Sequence, residues 1–243
     1  MRHLVCAARL LVSVALMIAG SLAMLVIGLL TAFRLRRFYR ETLNAMLCEV
    51  ILRIWAIRVE VHGRPAAPVS PVIYMSNHSS TLDMFVLAIL RLPNTRFYMS
   101  GWLRRLFPIG IIGYMTGVIW TARQWHTERR VEIFKRGEAL LRRTGESAYL
   151  SPEGTRVATG DIGRFNKGAF HTVTNLGWPI HPFFILIPQS IDPGMGVCAD
   201  RGTINVHFLP AIDTSTWRVE DLVENKEMVR ERFVGWHRQL HAA

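Results

Sequence analysis

Residues 72–85, VIYMSNHSSTLDMF, decide how the fold is read. Residues 72–75 form an apolar run of strand length. A short polar stretch follows at 76–80, and from Thr81 apolar residues return at helical spacing. Strand, tight turn and helix in that order are the opening of a strand–helix unit of an α/β sheet. The turn carries His78, and Asp83 stands five residues further on. Ser80-Thr81-Leu82-Asp83 also reads as a capping box, with an acid in the first helical turn where the backbone dipole favours it.

The same alternation continues outward from this stretch. Short apolar strands are expected at 57–61, 72–75, 96–99, 118–122, 148–150, 180–187 and 204–209. Helical periodicity covers 81–91, 127–144, 167–176 and 217–240. The expected fold is α/β, with a largely parallel or mixed central sheet flanked by helices. In such sheets ligands bind beyond the carboxyl ends of the strands. His78, Arg123 and Glu153 each follow a strand at that end.

Before residue 57 the chain is different. No side chain from Leu10 to Phe33 is charged, and 24 helical residues reach ~36 Å, enough for a bilayer core of ~30 Å. A cleavable signal peptide normally has an apolar region of only about 7–15 residues, and no small-residue cleavage site is evident. Residues 1–64 hold nine arginines against three glutamates, an excess of six within a chain whose net charge is +11. Arg34, Arg36, Arg37 and Arg40 outweigh Arg2 and Arg9. The positive-inside rule then puts the rest of the chain on the cytoplasmic face of the inner membrane, with the arginine cluster attracted to anionic headgroups. Nucleic acid could use the charge but would not explain the adjacent apolar run. Residues 38–56 form a second helical stretch, with Leu43, Met46, Leu47, Val50, Ile51, Ile54 and Trp55 on its apolar face, lying in the interface or packing on the first helix. The expected division is an anchor over 1–56, a helix or helix pair, and a catalytic domain over 57–243. Mean hydropathy of +0.21 suits one anchored domain better than a multi-span protein. Cys6, Cys48 and Cys198 are far apart, which suggests neither a disulfide framework nor a metal site.

Four local patterns carry chemistry, each ordinary alone. In Asn77-His78, with Asp83 beyond, a carboxylate can hold an imidazole that takes a proton from a hydroxyl. No G-x-S-x-G elbow is present, so the hydroxyl would belong to the substrate. Ser-Pro-Glu153-Gly154-Thr155-Arg156 offers backbone amides and a planar guanidinium for an anion. Gly-Val-Ile-Trp-Thr-Ala-Arg ends on Arg123. Asn-Lys-Gly-Ala-Phe puts Lys167 at a helix start, ahead of a strand bearing Pro179 and Pro182. His78, Asp83 and Glu153 lack the spacing of a recognised metal-hydrolase motif.

Taken in order, N-H-x4-D, G-x-I-x-x-x-R, P-E-G-T-R and K-G-A-F resemble the glycerolipid acyltransferase family, and more narrowly its bacterial 1-acyl-glycerol-3-phosphate acyltransferase group. The likeness runs from about residue 72 to 187. It implies that His78 is a general base on a lysolipid hydroxyl, with Asp83 orienting it, and that no covalent acyl-enzyme forms. It implies an acceptor site built from Arg123, Glu153, Gly154, Thr155 and Arg156, with Lys167 added. The acyl donor would be acyl-CoA or an acyl-carrier protein, with membrane lipids as surroundings and no cofactor, metal or nucleic acid. Departures occur at Ser100-Gly101-Trp102, where the family often has a lysine and an acid, and at Ser151, where it often has an aromatic. The acceptor is therefore lysophosphatidic acid, or a lysolipid with another head group or a lyso-aminolipid. A non-catalytic lipid-binding protein is the reading from another class.

Overall fold

The structure, a computed structural model, describes residues 2–157, 161–192 and 197–242. Seven strands make one sheet: β1 (Ile57–His62), β2 (Ile73–Ser76), β3 (Thr95–Ser100), β4 (Ile119–Thr121), β5 (Ser147–Leu150), β6 (Ile180–Leu186) and β7 (Gly202–Phe208). Their order is β1-β7-β6-β2-β5-β3-β4. All neighbours run parallel except β6 and β7, so the sheet is mixed, as expected. β2 lies between β5 and β6 and is buried at every residue, which is why 72–75 reads as an unbroken apolar run rather than an alternating one.

Side chains leave this sheet alternately to two cores. Ile73 and Met75 join Phe134, Phe170, Val173 and Phe233 on one side. These come from α6 (Thr127–Thr144), α7 (Lys167–Leu176) and α8 (Leu222–Ala242). Tyr74 faces the other way, with Ile51, Trp55, Val86 and Leu90, around α3 (Ala45–Ile54) and α4 (Asp83–Ile89). The last helix begins at Leu222, five residues later than expected, because residues 213–221 turn through local hydrogen bonds such as Trp217 N–H to the Thr214 carbonyl. A further helix, α5 (Ile109–Thr116), has no counterpart in the sequence reading. Its two glycines argue against a helix by propensity, yet both are close approaches. The Gly113 position is covered by the Trp120 ring and Gly110 by the Arg104 carbonyl, leaving no room for a Cβ.

The amino-terminal helix, α1, spans Arg2–Leu30. It is longer than the uncharged stretch and takes in Arg2 and Arg9. It is apolar and long enough to cross a membrane. Ser13, Ser21, Met24 and Gly28 form its buried side. Trp55 on α3 donates its indole N–H to Ser13 Oγ at 2.9 Å, and Gly28 lies against Met115 of α5. The other end is held at Arg2, which pairs with Asp200 at 2.5 Å, and at Cys6, which is disulfide-bonded to Cys198 with Cα atoms 5.7 Å apart. That pairing corrects the cysteine reading. Spacing along the chain hides it, because the two thiols are 192 residues apart and meet only when α1 runs beside the sheet. Leu11, Leu22, Val26, Leu29 and Leu30 remain exposed on the opposite face.

Between α1 and α3 the chain is α-helical at α2 (Arg36–Phe38) and π-helical over Tyr39–Asn44. The wider π-turn re-phases the helix. Ile51 and Trp55 pack inward as expected, but Met46 and Val50 face outward, and Tyr39 and Arg40 are buried instead. Arg40 therefore does not join the headgroup-facing cluster to which its sequence position assigned it. Its guanidinium shares Glu146 with Arg96, at 3.2 and 2.5 Å.

Candidate functional site

His78 begins the loop that leaves the carboxyl end of β2. Asn77 fixes that loop first, since its buried amide donates to the Ile185 carbonyl at 2.9 Å and accepts the Ile185 N–H at 2.8 Å. The loop is thereby anchored to neighbouring strand β6. His78 is 35% exposed at its side chain and Asp83 only 1%. Asp83 Oδ2 accepts three N–H groups: His78 Nδ1 at 2.7 Å, Ser79 N at 2.9 Å and Ser80 N at 3.0 Å. The Ser80 bond is the carboxylate half of the capping box, and Ser80 Oγ supplies the other half by accepting the Leu82 N–H at 2.9 Å. Asp83 is thus both cap and partner of the imidazole. With Nδ1–H held by a carboxylate, Nε2 carries the lone pair that can accept a proton.

The second loop comes from the carboxyl end of β5. Glu153 is buried, and both of its oxygens accept backbone amides, Oε2 from His78 at 2.6 Å and Oε1 from Gly163 at 2.7 Å. Burial pushes its carboxyl upward, against these two N–H groups and the nearby imidazole, which pull it down. An acid committed in this way holds the histidine's main chain in place. The sequence reading grouped Glu153 with the acceptor site; in the structure its carboxylate ties the His78 main chain to Gly163. Gly154 sits at φ +65°, in the left-handed region, with Asn166 too close for a Cβ. The Asn166 side chain donates to the Glu153 carbonyl at 2.5 Å, which closes this turn. Thr155 and Arg156 are exposed beyond it, and Arg156 Nη1 reaches Thr81 Oγ1 at 2.6 Å.

His78, Asp83, Arg123, Thr155 and Arg156 line one cavity of about 710 Å³. Its walls also include Met84, Phe97 and Ile112, with Leu47 and Met17 from the amino-terminal helices, so most of its lining is hydrocarbon. Arg123 lies beside Trp125, its guanidinium carbon 5.1 Å from the ring centroid. Lys167 is not part of this cavity. It lines a second one, with Gln124, Thr155 and Asn166 common to both. Sequence reasoning missed Asp192, a buried acid that accepts the Ser80 hydroxyl from the loop after β6. No motif marks that residue; only the meeting of two loops does. Among the described residues no group of three or more His, Cys, Asp or Glu is placed to hold a metal ion.

The family model described as Acyltransferase matches residues 58–186, more than half of the chain. The chain belongs to the acyltransferase family. The matched span contains β1 to β6, and with them both loops of the site. A chloroplastic 1-acyl-sn-glycerol-3-phosphate acyltransferase of Arabidopsis thaliana is 31% identical over 169 residues, 64% of this chain and 46% of that protein. The human beta form is 30% identical over 171 residues, 69% and 60% respectively. A Pseudomonas aeruginosa protein of the same name is 27% identical over 159 residues, 64% and 60%. The chain therefore spans about half to three fifths of these relatives. The fold of this acyltransferase-family chain is also that of a crystal structure of the 1-acyl-sn-glycerophosphate acyltransferase PlsC from Thermotoga maritima. There the TM-score is 0.82 at 17% identity, covering 100% of this chain and 97% of the other.

Proposed function

We propose that the protein transfers a fatty acyl group from a thioester donor, acyl-CoA or acyl-carrier protein, to the free hydroxyl of a lysophospholipid. The acceptor in its simplest form is 1-acyl-glycerol-3-phosphate and the product phosphatidic acid. One observation carries this reading: a carboxylate-held imidazole in the wall of a largely apolar cavity that Arg123 and Arg156 also line. A hydrocarbon chain fits the apolar lining, an anionic head group fits the arginines, and the reacting hydroxyl falls between them at Nε2.

His78 Nε2 removes the acceptor's hydroxyl proton while the oxygen attacks the thioester carbonyl. The C–S bond then breaks, and the imidazolium returns its proton to the departing thiolate, giving an ester and a free thiol. Asp83 stabilises the cationic imidazole, and general-base assistance of this kind is worth ~10²–10⁴-fold. The amides of Ser79, Ser80 and Leu82 are already engaged by Asp83 and Ser80, so they supply no oxyanion donor. Arg123 and Arg156 bind the acceptor's phosphate by paired N–H donation.

The membrane supplies the acceptor. α1 lies along the domain, fixed at Cys6 near one end and Gly28 near the other, and its free face is apolar. That arrangement supports insertion of the helix into one leaflet, and the arginines that follow it favour the cytoplasmic side. The test offers purified protein in detergent a panel of lysolipids differing in head group, with palmitoyl-CoA and palmitoyl carrier protein as donors, and identifies the products by mass. Phosphatidic acid from lysophosphatidic acid is the expected product. Acylation of only zwitterionic or amino lysolipids would overturn the phosphate assignment, and no transfer with any pair would overturn the activity.

A further inference from the structure

Beyond the Glu153–Thr155 turn lies the second cavity, of about 480 Å³, whose walls include Arg164, Lys167 and Lys226. Lys226 is 3% exposed. A buried ammonium is costly unless anions and hydrogen-bond acceptors surround it. Its partner here is Glu227, a side chain 46% exposed to solvent. The acid in the wall itself, Glu153, has both oxygens on backbone amides. The start of α7, at Asn166 and Lys167, also opens here, adding peptide N–H groups and the positive end of a ten-residue helix. Three cations, a helix start and a Thr hydroxyl around one hollow are the makings of a phosphate site.

Two phosphates enter the proposed reaction. That of the acceptor is joined to the reacting hydroxyl through the short glycerol backbone, so it must lie in the cavity that contains His78, at Arg123 and Arg156. The hollow at Lys167 does not count His78 among its walls; it shares Gln124, Thr155 and Asn166 with the main cavity, and its wall residue Glu153 accepts the His78 backbone N–H. A phosphate there would sit on the far side of the Glu153–Thr155 turn from the Arg123 and Arg156 side chains, a place that suits a group joined to the reacting centre by a linker longer than glycerol. The pantetheine arm of the donor is such a linker, with the thioester at one end and a phosphate ester at the other.

We propose that the Arg164–Lys167–Lys226 cavity is the subsite for the phosphate at the end of the donor's pantetheine arm, the group that coenzyme A and a carrier protein share. This rests on the acyl-transfer reading above and assigns Lys167 to the donor rather than to the acceptor. The test compares wild type with Lys167→Gln and Arg164→Gln, both exposed positions, after thermal melts establish that the variants fold. Palmitoyl-CoA, or palmitoyl carrier protein if the wild type prefers it, is set against S-palmitoyl-pantetheine, which has no phosphate. The acceptor is 1-palmitoylglycerol 3-phosphate. With the phosphate-bearing donor each variant is expected to raise donor KM by about 10-fold while acceptor KM stays within about twofold. With the phosphate-free donor the gap between variant and wild type should close. A rise in acceptor KM, an equal loss with both donors, or no loss at all would each overturn the subsite. Absence of transfer by the wild type would instead overturn the activity, and the subsite with it.

Discussion

Asp83 shows how one side chain serves two purposes. Its Oδ2 gathers the amides of Ser79 and Ser80 and the Nδ1–H of His78, so the bonds that start α4 also aim the imidazole. Asp83→Asn keeps the size but removes the charge that stabilises the imidazolium, and kcat should fall by ~10²-fold or more with the melting temperature little changed. Steady-state rates alongside a thermal melt check this; a loss of only a few-fold would reduce Asp83 to a cap. Glu153 makes a sharper case, because family resemblance placed it with the substrate and the structure places it behind His78. Glu153→Gln puts an amide NH2 against one of the two backbone N–H groups that the carboxylate accepts, and unmatched buried donors cost about 1–3 kcal/mol. The expected result is a kcat lowered about tenfold or more with acceptor KM nearly unchanged. A rise confined to acceptor KM would return Glu153 to the acceptor site. Both residues are legible in the sequence as motif members. The His78 and Ser80 partners of Asp83 are legible too, but the bonds from Glu153 to Gly163 and from Ser80 to Asp192 are not, since they join loops that no local pattern connects.

The seven strands stand where apolar runs predicted them, most clearly at β2 and β5, where a strand buried between two helical layers is closed to solvent at every residue. The helices were harder. α5 carries glycines for packing reasons that only Trp120 and Arg104 reveal, and the π-turn at Tyr39–Asn44 shifts the face of the following helix. That shift buries Arg40 beside Arg96 and Glu146. One carboxylate between two buried guanidiniums ties the π-turn to the sheet, and removing it leaves two desolvated cations facing each other. Glu146→Gln should destabilise the fold by about 3–5 kcal/mol, as measured by denaturant unfolding in detergent. A change under 1 kcal/mol would show that solvent reaches the cluster.

Across the whole molecule, α1 behaves as a flank of the domain rather than as a detached tether. Its length and charge pattern could be read from sequence, but its lie beside the sheet could not, because the contacts that set it join Cys6 to Cys198 and Gly28 to Met115. Protein purified without reductant and unfolded in denaturant should show one titratable thiol, that of Cys48, rising to three after reduction. Three thiols before reduction would mean that the Cys6–Cys198 link does not form. The account's central claim is that His78 is the base acting directly on the lipid hydroxyl. Its most direct test is the rate of diacyl product formation by His78→Ala in detergent, measured by mass spectrometry beside wild type. A base at His78 requires a fall of at least ~10²-fold with the acceptor still bound; turnover within a few-fold of wild type would remove His78 from that role.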